Sequence, residues 1–233
     1  MLISLFTSGY SIPIILILGL ALIASAVLSM VVHENAHGLV ALLCGDDTAK
    51  KRGRLTMNPL AHFDWAGLIL MLLVGFGWAK PVPINPYNFK NGKLGTILVS
   101  VAGVVSNILM SGISLLLYYF LYPYLVALCM TASAVRLIGY LFVYFLQYMV
   151  VLNIMLAFFN ILPICPLDGF RLVDSLLPSG NKYSTFMYKY GNLVLIGFVG
   201  LCFILSNVGL KEYSVFYQVQ QLAIRLLDLA KGG

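Results

Sequence analysis

The residues with the clearest chemical capacity form the run His33-Glu34-Asn35-Ala36-His37. On a helix, the two histidines lie one turn apart and project from the same face. Two imidazole nitrogens placed in this way can bind one zinc ion, and a carboxylate beside them can accept a proton from a metal-bound water. The spacing therefore predicts a zinc site with His33 and His37 as ligands and Glu34 as the base.

The surroundings of this motif strengthen the prediction, because the motif lies inside a membrane-length apolar segment from Ser11 to Cys44. No Asp, Glu, Lys, Arg or His precedes His33 in the chain. Ionisable side chains are costly in hydrocarbon, so their presence at such a depth indicates a function. The alternative is that the three polar residues line a helix–helix contact without a metal.

The composition places this motif in an integral membrane protein. Of 233 residues, 61% are hydrophobic and only 9% are charged, whereas soluble domains carry about 25% charged residues. Long apolar runs between short polar loops predict an all-α polytopic fold with about four to six transmembrane helices. The net charge of +6 does not indicate nucleic-acid binding, because the basic residues lie in those short loops. The expected partner is the lipid bilayer, with no nucleic acid.

The apolar runs that are long enough to span a membrane set the expected organisation. They are Ser11–Cys44, Leu94–Tyr122, Arg136–Ile161 and Gly191–Leu210. The stretch from Pro123 to about Ser133 is an uncharged connection. Val215–Leu229 has apolar residues at helical spacing with polar residues between them, and we expect it to lie along the membrane interface. We therefore predict one membrane-embedded domain over residues 1–210 and an amphipathic C-terminal tail over residues 211–233.

The region between the first two long runs is less regular. Asp46–Asp64 is a polar loop, in which Arg54–Met57 could form a short strand. Ala66–Trp78 is apolar but only about a dozen residues long, which suits a re-entrant segment better than a crossing. In Lys80–Lys93, prolines at 81, 83 and 86 exclude an α-helix. The expected fold thus includes a short re-entrant or β-containing segment after the motif helix.

The basic residues predict the orientation of the chain. If Ala66–Trp78 returns to the side that it left, the Lys and Arg residues of Asp46–Lys93 lie on one face with those that follow Asp168. The uncharged N-terminus and the connection at 123–133 lie opposite. The positive-inside rule then places the basic loops in the cytoplasm. We expect a multi-pass protein, of the cell membrane, with its active site toward the cytoplasm.

A catalytic zinc usually takes three protein ligands and keeps one position for water, so a third ligand is needed. The remaining histidine, His62, lies in a charged loop, where a solvated or capping role is expected. Glu212 lies in a loop on the predicted opposite face. Asp168 lies on the cytoplasmic side at the end of a spanning helix and is the favoured ligand. The alternative is that Asp168 is the helix N-cap for residues from Phe170 onward.

Several segments make the chain resemble the site-2 protease family of intramembrane zinc metalloproteases, in its compact form without an appended PDZ or CBS domain. They follow the family's order and cover most of residues 31–175. Two residues depart from the pattern: Val104, where the family often has Pro, and Phe170, where a second Gly is common. The matching segments are HENAHG at 33–38, GRLTMNPLAHFDWAG at 53–67, GWAKPVPINPYNF at 77–89, AGVVSN at 102–107 and FNILPICPLDGFR at 159–171.

The resemblance implies one Zn²⁺ per chain, bound by His33, His37 and Asp168. It also implies that Glu34 is the catalytic base of a zinc-dependent endopeptidase. The substrate would be a transmembrane protein, cut within or near a membrane-spanning segment, as in regulated intramembrane proteolysis. Neither departure from the family pattern removes a ligand or the base.

The resemblance assigns supporting roles to two asparagines and a glycine. Asn107 would approach the substrate carbonyl or the oxyanion, and Asn160 would hold backbone near the site, beside Gly169. From the residues alone, Asn107 is better explained by helix packing, because Gly103 precedes it by one turn on an apolar helix. The resemblance favours the catalytic role.

A non-catalytic membrane protein is the alternative from another functional class. A metal carrier or a pore could use the same polar residues, but it would need polar groups that continue to the far face of the membrane. The spans at 94–122 and 136–161 carry few such residues. A proteolytic site needs only a pocket that is reached from one side, so the sequence favours the protease. The oligomeric state is not indicated.

The re-entrant assignment can be tested by cysteine labelling. A helix of about a dozen residues would measure roughly 18 Å, which is well short of the hydrocarbon thickness. Single cysteines at Lys51 and Asn91, in a background without the four native cysteines, are therefore expected to label from the same side. Exterior labelling at Asn91 with Lys51 protected would instead establish a true crossing between them.

Overall fold

Helices account for nearly all the regular structure in the computed structural model, which describes residues 9, 11–62, 64–67, 69, 79–131 and 134–231. Among these residues, four helices are long and apolar enough to cross a membrane: Ile12–Leu43, Gly92–Cys129, Ala134–Ile161 and Lys182–Asn207. This confirms the all-α polytopic fold. The helices are α1 (Ile12–Leu43), α2 (Thr48–Lys51), α3 (Gly92–Cys129), α4 (Ala134–Ile161), α5 (Asp168–Leu176), α6 (Lys182–Asn207) and α7 (Val215–Ala230), with 3₁₀ turns at Pro59–Ala61, Pro86–Asn88 and Lys211–Tyr213.

Two predicted helix boundaries are wrong. Helix α3 does not end before Pro123 but continues through it to Cys129. Tyr118 and Leu125 are buried on either side of the proline, so packing stabilises the helix on both sides of this position. Helix α6 begins nine residues earlier than expected, at Lys182, because Asn181 caps it by accepting the backbone N–H of Ser184 at 2.8 Å.

The strand suggested for Arg54–Met57 is also wrong, since this stretch is irregular. The carbonyl oxygen of Thr56 accepts a hydrogen bond from Asn35 at 2.7 Å and lies 2.9 Å from Nε2 of His62. The side chains of Asn35 and His62 therefore bind the backbone carbonyl that a neighbouring strand would otherwise bind. The predicted re-entrant segment Ala66–Trp78 lies outside the described residues, apart from 66, 67 and 69.

Helices α1, α3 and α4 pack against one another and form the centre of the protein. Small polar side chains link α1 to α4 within this bundle. Asn153 donates to Ser29 at 2.8 Å, and the hydroxyl of Ser25 lies 3.1 Å from the carbonyl oxygen of Phe145. Such hydrogen bonds contribute to association because lipid provides little hydrophobic drive between membrane helices. They contribute to the packing of α1 against α4.

Helix α7 packs against α4 and α3. Phe216 at its start lies 5.9 Å from the ring of Phe159, and Leu227 near its end joins a buried cluster with Val143 and Leu146. Because the residue numbers run in opposite directions, α7 is antiparallel to α4. Its expected location along the membrane interface stays a prediction.

The polar loop after α1 is tied to the segment that precedes α3 by Asp46, whose side chain is buried. The Asp46 carboxylate accepts hydrogen bonds from the Asn85 backbone N–H at 2.7 Å, the Asn88 side chain at 2.8 Å and the Thr48 backbone N–H at 3.1 Å. Burial alone would raise the pKa of Asp46, but these hydrogen bonds lower it below its usual value. Asp46 thus stays ionised near neutral pH and holds the segment at 79–91 against α1.

Candidate metal centre

The structure brings three buried donor side chains together between α1 and α5. The Nε2 atoms of His33 and His37 lie 3.0 Å apart. Oδ2 of Asp168 lies 3.3 Å from Nε2 of His33 and 3.0 Å from Nε2 of His37. Among the described residues, these three form the group of His, Cys, Asp or Glu side chains that could hold a metal ion.

The separations of these donors fit a tetrahedral zinc site. Ligand bonds of about 2.0–2.1 Å in tetrahedral geometry place the donor atoms roughly 3.3 Å from one another. Two imidazoles and one carboxylate are also an established donor set for catalytic zinc. In addition, Oδ2 of Asp168 is buried without a hydrogen-bond donor among the described residues. The residues present therefore fit the zinc ion that the sequence predicts.

Gly103 on α3 leaves the space beside these donors open. A Cβ atom on this residue would lie 2.4 Å from Nε2 of His37, 2.4 Å from Cε1 of His33 and 2.6 Å from Nε2 of His33. These distances are far below van der Waals contact. Only glycine therefore lets α3 approach the two imidazoles and leave room for an ion.

Asp168 is the first residue of α5, and it does not cap that helix. The N-cap is Leu167, without a side-chain cap, so the capping alternative does not describe this carboxylate. Gly169 allows the close approach of α5 to the end of α4, since a Cβ there would lie 2.1 Å from the carbonyl oxygen of Ile161. The short connection between α4 and α5 thereby turns Asp168 toward α1.

The far sides of both imidazoles have hydrogen-bond partners on α3. Nδ1 of His37 lies 2.7 Å from the carbonyl oxygen of Val99. Nδ1 of His33 lies 2.8 Å from Oδ1 of Asn107. Both partners are acceptors, so each can hold a proton on Nδ1, and this tautomer would leave Nε2 free to bind a metal.

Glu34 is half-buried next to this group on α1. Its Oε2 accepts a hydrogen bond from the backbone N–H of Val82 at 2.8 Å. The segment around Val82 is not helical, as its prolines predict, and it lies against α1. A Cβ on Gly38, one turn after Glu34, would lie 3.2 Å from Cγ1 of Val82.

The remaining predicted residues lie outside the donor group. Asn160 donates to the carbonyl oxygen of Leu156 at 3.0 Å, one turn earlier on its own helix, so its role near the site stays a prediction. A solvated or capping role was expected for His62. The residue is buried, and it is the C-cap of the 3₁₀ turn Pro59–Ala61, with its backbone N–H bonded to the carbonyl oxygen of Pro59. Its ring lies against the Thr56 carbonyl, and its own carbonyl accepts the Lys80 backbone N–H at 2.9 Å.

Sequence reasoning missed three contributions to the site: the carbonyl of Val99, the backbone N–H of Val82 and the open space at Gly103. The first two are backbone groups, which carry no residue-type signal. The sequence does mark Gly103 as a site of close helix packing, one turn before Asn107, but it does not indicate that this space lies beside the two imidazoles.

Comparison with known proteins identifies a family that matches most of the chain. The sequence matches Peptidase family M50 over residues 21–204. It is also similar to "Putative zinc metalloprotease YwhC" of Bacillus subtilis (strain 168), with 41% identity over 176 residues that cover 75% of this chain and 78% of the relative. No solved structure matches the chain.

Replacing Gly103 with Ala should weaken zinc binding without disturbing the helix. Alanine is the better helix former by up to about 1 kcal/mol, but its Cβ would overlap the two imidazoles. We expect zinc affinity to fall by roughly 100-fold or more, measured by chelator competition on the purified protein. Gly112→Ala on the same helix is the matched control, since a Cβ there meets nothing within 4 Å. Unchanged affinity in Gly103→Ala would contradict this placement of the ion.

Proposed function

This chain belongs to peptidase family M50, and we propose that it is an intramembrane zinc endopeptidase. Its substrates would be membrane proteins, cut within or near a transmembrane segment. The observation that carries the proposal is the convergence of His33, His37 and Asp168 within 3.3 Å of one another, next to Glu34, among candidate membrane spans.

The catalytic roles follow from the chemistry of these side chains. His33, His37 and Asp168 would hold one zinc ion per chain, which when bound supplies the Lewis acidity for peptide hydrolysis. Glu34 would accept a proton from the attacking water and return it to the leaving amine. Its position one residue after His33 places the carboxylate beside the ligands.

Asn107 would assist at the substrate carbonyl. Its Nδ2 is buried and has no hydrogen-bond partner among the described residues. An amide N–H of this kind can donate to the developing oxyanion. The substrate backbone must leave its helical hydrogen bonds before it can reach such a donor, because a helical carbonyl in the membrane is already paired.

The depth of the site suits cleavage near the cytoplasmic face. His37 lies six residues before the end of α1 at Leu43, which corresponds to roughly 9 Å along the helix axis. The basic loops on this side include Lys50–Arg54, and the positive-inside rule favours a cytoplasmic location for them. Water would then reach Glu34 through the polar loops.

The interior of the bundle argues against a metal carrier or a pore. Beyond the donor group, the core between α3 and α4 is filled by a mainly apolar cluster, which includes Tyr118, Leu125, Val143, Leu146 and Val150. A permeation path would need polar side chains or open space there. A site that is reached from one side suits hydrolysis.

Glu34→Gln separates metal binding from catalysis. The amide keeps the size and polarity of the side chain but cannot accept a proton, so cleavage of a membrane substrate should fall by roughly 10²-fold or more, while zinc content stays unchanged. Glu212→Gln is the matched control, since Glu212 is exposed in the turn after α6. An unchanged cleavage rate in Glu34→Gln would show that another group is the base.

A further inference from the structure

Asn107 lies in the middle of α3, with 1% of its surface exposed. Its Oδ1 lies 2.8 Å from Nδ1 of His33 on α1. We propose that Asn107 is a positioning residue, whose carbonyl oxygen holds the His33 imidazole in the orientation and tautomer that zinc binding requires. This inference rests on the proposed zinc site and adds to it a second role for Asn107.

The tautomer argument depends on which atoms can donate. A neutral imidazole has one N–H, and an amide oxygen can only accept. With Oδ1 facing Nδ1, the proton is therefore held on Nδ1, and the lone pair of Nε2 is free for the metal. If the amide were turned so that Nδ2 faced the ring, the proton would move to Nε2 and block the site.

The second histidine provides an independent parallel. His37 makes the same contact with the carbonyl oxygen of Val99 at 2.7 Å, and a backbone carbonyl cannot act as a donor. Both histidines are therefore held through Nδ1 by acceptors on α3. Only the acceptor for His33 is a side chain, so only this one can be removed by substitution.

The two ends of the Asn107 amide can be tested separately. An aspartate at this position keeps an acceptor for His33 but has no N–H to donate to a substrate. Zinc affinity therefore reports on the contact with His33, and cleavage at saturating zinc reports on the proposed oxyanion donor. An alanine or a leucine at this position has neither the acceptor for His33 nor the N–H donor for the substrate. Leucine also keeps most of the volume of the asparagine side chain.

Asn153 provides a matched structural control. It is also a fully buried asparagine in the bundle, and it bonds to Ser29 at 2.8 Å and to the carbonyl oxygen of Met149 at 2.7 Å. Neither partner is a zinc donor. Asn153→Ala should therefore weaken packing between α4 and α1 without loosening an imidazole.

The experiment measures zinc affinity by chelator competition on the purified full-length chain. Asn107→Ala and Asn107→Leu are expected to bind zinc 10- to 100-fold more weakly, whereas Asn107→Asp and Asn153→Ala stay within a few fold of the unmodified protein. The positioning role alone would be overturned if Asn107→Leu bound zinc as tightly as the unmodified protein, or if Asn107→Asp lost as much zinc affinity as Asn107→Leu. Absence of zinc binding by the unmodified protein would instead overturn the proposed function and this inference with it.

A different observation supports a second positioning residue, at the base. Val82 lies between Pro81 and Pro83, which have no backbone N–H, so its N–H is the single backbone donor of this tripeptide. That donor bonds Oε2 of Glu34 at 2.8 Å. We infer that the Val82 amide fixes the Glu34 carboxylate for proton transfer, again on the premise of the proposed function.

The surrounding contacts hold this donor in place. Arg54 donates through Nη2 to the carbonyl oxygens of Lys80 at 2.8 Å and Pro81 at 3.2 Å. The Val82 side chain is 5% exposed. A hydrogen bond from an N–H to a carboxylate is charge-assisted and therefore directional and strong. The segment thus acts on Glu34 through one fixed backbone group.

Val82→Pro removes the donor, while Val82→Ala and Val82→Ile keep it. Val82 already precedes a proline and is restricted to extended backbone, which proline also adopts. We expect kcat of Val82→Pro to fall by about 10-fold or more with zinc affinity unchanged, whereas Val82→Ala and Val82→Ile stay within a few fold. Unchanged kcat in Val82→Pro, or an equal loss in Val82→Ala, would overturn the inference. Loss of activity in Glu34→Gln is required by the proposed function and is measured separately.

Discussion

Two imidazoles and a carboxylate lie about 3 Å apart in the interior of a helix bundle, and this clustering constrains the rest of the structure. Ionisable groups at such a depth are costly unless they are paired or coordinate a metal. His33 and His37 lie on α1 and Asp168 lies on α5, far along the chain, so these two helices must be fixed relative to one another before the three donors can meet. A zinc ion would balance the charge of the carboxylate and use the lone pairs of both rings.

The bundle satisfies this constraint mainly through close backbone approach and hydrogen bonds. Gly103 lets α3 lie directly against the imidazoles, and Gly169 lets α5 turn back against the end of α4. The contact of Ser29 with Asn153 adds to the packing of α1 against α4. Helix α3 thus has two functions, since it makes room for the ion and provides the acceptors for both rings.

The sequence predicted the parts of this arrangement that depend on residue type and regular spacing. Helical geometry alone pairs His33 with His37, and apolar length predicted the four candidate spans. Asp168 was favoured because few carboxylates lie at a matching depth. The sequence did not predict that α3 continues through Pro123, because proline normally ends a helix. The packing of Tyr118 and Leu125 outweighs this tendency. The contact of Glu34 with Val82 could not be predicted either, since it involves a backbone group distant in sequence.

The most direct test of the central claim is the zinc content of the purified chain when Asp168 is replaced. Asp174 on the same helix is a suitable control, because its carboxylate accepts the hydroxyl of Tyr188 at 2.8 Å and lies outside the donor group. The account predicts one zinc per chain in the unmodified protein and in Asp174→Ala, and strongly reduced zinc in Asp168→Ala. Full zinc occupancy in Asp168→Ala would contradict it.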